Sequence, residues 1–154
     1  MSRCRFAPLA LLVLGVTPLL AADGKKSAAQ KFCPVMVTDE IDPAASKTVE
    51  WKGVKIYVCC DECITRFKRD PAAYLDAKLV PALAGMELPK RDIEQVFCPV
   101  YKERKVSAKD PFVTYKGVKV YVYNNLAKQR FEKDPDRYAD VKVLPQLKNA
   151  KQEK

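Results

Sequence analysis

Apolar and polar positions alternate in the same way at two places along the chain. Val54-Lys55-Ile56-Tyr57-Val58 puts Val54, Ile56 and Val58 on one side of a strand, with Lys55 and Tyr57 on the other. Val118-Lys119-Val120-Tyr121-Val122 repeats that order. Each run follows a Lys-Gly pair, Lys52-Gly53 or Lys116-Gly117, and Thr48–Trp51 precedes the first. Alternating runs joined by two residues predict a β-hairpin, in which glycine supplies the positive φ of the tight turn. A helix is expected from near Cys60 to about Arg69. Asp70-Pro71 then predicts a further helix, with Asp70 as its cap and Pro71 at its first position, where the missing N–H costs nothing. Asp134-Pro135 predicts the same in the second half.

The correspondence extends beyond the hairpins. Phe32-Cys33-Pro34-Val35 returns as Phe97-Cys98-Pro99-Val100, Arg66-Phe67 as Arg130-Phe131, and Tyr74 as Tyr138. This is an internal duplication. It predicts an α+β chain built as a tandem repeat, each unit holding a Cys-Pro-Val knuckle, a β-hairpin and helices. The units are read as residues 31–83 and 95–147, joined by a linker at 84–94 and followed by a polar tail at 148–154. A core of about fifty residues is small for independent stability and calls for a metal, disulfides or a partner. The second unit is therefore expected to lean on the first.

The first 22 residues read differently. Arg3 and Arg5 precede an almost wholly apolar Phe6–Leu20, and Ala21-Ala22 then precedes polar residues. That order describes a secretory signal peptide and places the protein outside the cytoplasm, secreted or periplasmic, with 23–30 as a flexible leader. Leu20 is large for the position three before a cut after Ala22, which leaves an uncleaved anchor as the alternative. No second apolar run is long enough to span a bilayer. Loss of residues 1–22 takes the net charge from +9 to +7. The lysines are spread along the chain without interleaved aromatics, so a solvated surface is expected and no nucleic-acid partner.

Histidine is absent. Ser/His and Cys/His nucleophile pairs are therefore unavailable, and a transition metal would need sulfur, carboxylate or backbone ligands. Four of the six cysteines, Cys33, Cys59, Cys60 and Cys63, fall in the first unit. Thiols three or four residues apart at a helix start face one direction, and a knuckle cysteine can close a site from across the hairpin. Helix N–H groups are expected to favour their thiolate forms. In the second unit the positions of Cys59, Cys60 and Cys63 hold Tyr123, Asn124 and Ala127. Cys98 is left as a buried relic, and Asn124 or Asn125 can cap the helix.

The run Cys33-Pro34-Val35, Trp51-Lys52-Gly53, Tyr57-Val58-Cys59, Cys63, Phe67, Asp70-Pro71 and Tyr74 resembles the YHS domain, a family that overlaps the TRASH domain. The resemblance implies a treble-clef-like fold and a role in heavy-metal sensing or trafficking. Carried over by position, it implies metal ligation by Cys33, Cys59 and Cys63. The family's histidine is missing, Trp51 stands in place of a tyrosine, and Cys60 is an additional sulfur, either a fourth ligand or an adjacent thiol. Met36 is a further soft atom beside the knuckle, in a place where methionine more often only packs.

The leading reading is an exported, non-enzymatic protein that binds or handles a soft metal through the first-unit thiolates, copper(I), zinc or a toxic heavy metal, with a protein partner for metal transfer. One alternative is a protein-interaction module held by a structural zinc or disulfide. Another is a thiol–disulfide redox protein using Cys60 and Cys63.

Overall fold

The computed structural model describes residues 29–150, so the segment read as a signal peptide, most of the leader and the last four residues lie outside the described residues. The chain is mixed α+β with two small antiparallel sheets. In the first, β1 (Lys47–Trp51) pairs with β2 (Val54–Val58), Val49 opposite Ile56. In the second, β3 (Phe112–Tyr115) pairs with β4 (Val118–Tyr121), Val113 opposite Val120. Ile56, Val58, Val120 and Val122 are buried while Lys55 and Lys119 are exposed, as alternation requires. Among the described residues, no helix is long and apolar enough to cross a membrane.

Both turns place two residues at positive φ: Lys52 at 46° and Gly53 at 79°, Lys116 at 49° and Gly117 at 75°. Two such residues in a row define the turn whose twist matches the flanking strands. No atom lies within 4 Å of a Cβ built on Gly53 or Gly117, so a larger residue meets backbone strain alone. Gly53→Val is expected to cost about 1–2 kcal/mol, the penalty for an L-residue held left-handed. Thermal melting checks this; an unchanged midpoint would remove the turn from the list of stabilising features.

α1 (Asp61–Arg69) follows β2, with Cys60 at its N-cap position, and α2 (Asn125–Lys133) follows β4. Asn124 caps α2, its Oδ1 accepting the Ala127 N–H at 2.9 Å. The expected Asp-Pro caps are a different matter. Pro71–Ala73 is one 3₁₀ turn and α3 (Pro135–Tyr138) is four residues long, and neither Asp70 nor Asp134 makes a side-chain cap bond. At Asp70 the backbone does the work instead. Its N–H reaches the Arg66 carbonyl at 3.2 Å, and its own carbonyl accepts from Ala73 at 3.2 Å.

Two apolar clusters form. One gathers Ile56, Val58, Phe67, Tyr74, Val80 and Leu83. The other gathers Val106, Val120, Val122, Tyr123, Phe131 and Leu144. Met36 packs against both. The two Cys-Pro-Val knuckles pair with each other: Val37 N–H donates to the Glu103 carbonyl and Lys105 N–H to the Val35 carbonyl, each at 3.0 Å. Arg66 crosses between the halves, donating to Asp110 at 2.9 Å and to the Tyr123 carbonyl at 2.6 Å while its guanidinium lies 3.5 Å over the Tyr123 ring. Asp110 also accepts from Arg69 and from the Ser107 N–H. In the 84–94 segment, Arg91 donates to the carbonyls of Ala73, Gln95 and Val106.

Gln30, the last residue of the leader, holds Tyr57 by donating to its carbonyl at 2.6 Å and accepting its N–H at 3.0 Å. Gln95 holds Tyr121 in the same way. Their spacing equals that of Cys33 and Cys98, a correspondence present in the sequence but absent from the motif reading.

Candidate metal centre

The site is built where the knuckle, the end of β2 and the start of α1 meet. Cys33 is positioned by its N–H bond to the Asp39 carbonyl at 2.9 Å, which folds the knuckle back on itself. Cys59 follows directly on β2. Cys63 lies in the first turn of α1, four residues after Cys59, so both sulfurs face the knuckle. The Sγ atoms of Cys33, Cys59 and Cys63 all lie within 4.8 Å of one another. Cys33 and Cys63 are fully buried and Cys59 is half-buried.

Cys60 lies outside this mutual group. Its sulfur is 3.5 Å from Cys63 and 3.8 Å from Cys59. Met36 reaches the cluster from the other flank, with Sδ 3.9 Å from Cys59 Sγ. The five described cysteines are free thiols.

Two sulfurs bound to one ion at the usual zinc–sulfur distance of about 2.3 Å stand roughly 3.8 Å apart in a tetrahedron. Cys59 and Cys63 are 3.5 Å apart, so the triangle is close to the size a soft ion needs. The donors are sulfur only, which suits Zn(II) and Cu(I) and does not suit Mg(II) or Ca(II). Cys33, Cys59 and Cys63 fit the group and would hold it.

The charge on the cluster is uneven. The Cys33 thiol is pulled down to about 6 by its hydrogen bond with Cys63, against the opposing effect of burial. The Cys63 thiol is pushed far up, first by that same bond to Cys33 and then by burial. Burial and the Cys33 charge also push Cys59 up. The helix start was expected to favour all its thiolates. Instead one negative charge settles on Cys33, and the neighbouring thiols keep their protons to share it. Lys105, buried and paired with Asp76 at 3.2 Å, brings a cation from the second half within electrostatic reach of Cys33. That residue was invisible to motif reading.

The equivalent place in the second half holds no sulfur cluster. Cys98 is fully buried, and its Sγ accepts the N–H groups of Tyr101 and Tyr123, each at 3.4 Å. Burial pushes its thiol up. The Tyr123 side chain, where the first half has Cys59, stacks under Arg66. Arg66 therefore serves the junction between the halves and does not supply a free positive field to the thiols.

Comparison with protein-family models finds no match, and no curated protein or solved structure matches the chain either.

Proposed function

We propose that this is an exported, non-enzymatic protein that binds a soft metal ion, zinc or copper(I), through Cys33, Cys59 and Cys63, and passes it to a protein partner. The observation that carries the reading is the sulfur triangle itself, three thiols from two separate parts of the chain within 4.8 Å of one another. The proposal extends to ancestry. The chain is read as two YHS-like, treble-clef-like units, the second of which has kept its hairpin and helix start and, of its thiols, only Cys98. Support for that comes from the duplicated sequence and from the matched Lys-Gly turns. The basic, apolar and small order of residues 1–22 supports export.

The test is a titration of protein purified without oxygen or chelator. One ion per chain is expected, with the first-half thiols shielded from alkylation until a chelator is added. At pH 7.5 binding should release about two protons, those of Cys59 and Cys63, because Cys33 is already ionised above about 6. Affinity should then fall about a hundredfold per pH unit as pH drops towards 6, two protons competing with each ion. Absence of uptake would sink the reading. One observation favours a redox role instead, the 3.5 Å approach of Cys60 and Cys63. Recovery of that pair as a disulfide that turns over with a dithiol would establish it.

A further inference from the structure

We propose that Met36 supplies a fourth, thioether donor to the thiolate triangle, and that the site is thereby tuned to Cu(I) over Zn(II). The inference rests on the metal-binding reading above and adds to it the identity of the ion and one ligand.

Distance favours the assignment. Met36 Sδ lies 3.9 Å from Cys59 Sγ, close to the separation of two sulfurs sharing one ion. Backbone restraint favours it too. Met36 lies three residues after Cys33 in the knuckle, and its backbone forms an antiparallel bridge with Arg104. The flanking bonds from Lys105 N–H to Val35 and from Val37 N–H to Glu103 fix the segment on both sides. Its side chain is half-buried and touches both apolar clusters. A flexible residue is thus held with its sulfur against a thiol, which the filling of a core gap does not require.

Cys60 is the competing donor, 3.5 Å from Cys63 and 3.8 Å from Cys59. A fourth thiolate there would serve Zn(II) as well as Cu(I), and Met36→Leu would then leave Cu(I) affinity unchanged. Three thiolates and a thioether make an all-soft set. A neutral thioether adds little to Zn(II), which is well served by thiolate, imidazole or carboxylate, and it favours Cu(I).

The experiment compares wild type with Met36→Leu, a swap that conserves volume against both clusters. The probes are Cu(I), competed against a chromogenic Cu(I) chelator without oxygen, and Zn(II), competed against a zinc chelator. Met36→Leu should lose Cu(I) affinity by about tenfold or more, since loss of a bonded donor should cost at least as much as loss of a group that only supports the ligands. Zn(II) affinity should fall much less, because its bonds are to the thiolates and the swap conserves volume. Equal losses for both ions, or no loss for Cu(I), would overturn the proposal. In selenomethionine-labelled protein carrying Met86→Leu, X-ray absorption should find copper at bonding distance from selenium, and its absence there would also overturn it. Wild type that binds neither ion sinks the underlying reading; wild type that binds Cu(I) while ignoring Met36→Leu sinks only this one.

Discussion

Cys63→Ser is expected to weaken soft-metal binding about a thousandfold. A structural zinc site of 10–16 kcal/mol divided over three or four ligands gives about 4 kcal/mol for each. Cys63 is the central sulfur, in contact with Cys59 and Cys60 at 3.5 Å and within 4.8 Å of Cys33. Its loss leaves no compact triangle. Cys98→Ser is the matched control, since Cys98 is equally buried and a serine oxygen can accept the N–H groups that its sulfur now accepts. Its affinity should stay at the wild-type value. Competition titration of the two variants decides the matter, and equal damage from both would refute a single site in the first half.

The clustering of sulfurs was legible in the sequence in part. Cys59 and Cys63 are four residues apart at the start of α1, and the resemblance added Cys33, which comes back across a hairpin whose turn is written in Lys52-Gly53. Strand pairing and alternation were legible because they are local. The tie between the halves was not. Arg66 meets Asp110 44 residues away, and nothing in the pattern of either segment names the other. Asp70 shows a different limit. The residue sits where a cap belongs, but a single 3₁₀ turn is already bonded through its backbone, so the side chain is left without that task. The protonation of Cys59 and Cys63 also escaped the sequence, because it depends on where the one negative charge of the cluster settles.

Asp110→Ala should be a strongly destabilising change at the junction, at about 3 kcal/mol, because it takes the buried carboxylate from the Arg66 guanidinium and leaves it only the exposed Glu62 carboxylate, at 3.0 Å. The Asp110 side chain is fully buried and that of Arg66 nearly so, at 0% and 9% exposure. Arg69 is 41% exposed and can turn to water, so its share of the loss is small. A chain of this length should melt roughly 10 °C lower. Asp110→Asn keeps an acceptor and should fall between. The double variant Arg66→Met/Asp110→Leu removes both charges and should recover much of the loss. A double variant no better than Asp110→Ala would assign the effect to packing alone.

The hairpin lies between Cys33 and Cys59. An ion shared by those sulfurs closes a loop around the whole of it, and by the chain-entropy relation for a cross-link of that span the unfolded state loses about 3.5 kcal/mol of freedom. No such cross-link is available to the second half, where Cys98 has no thiol partner among the described residues. One link of the second half to the first runs through α1, which carries Cys63 and, less than one turn later, Arg66. On the proposed reading, metal supply would set how often both halves open, and in amide exchange the α2 region should lose protection together with the hairpin when the ion is withdrawn.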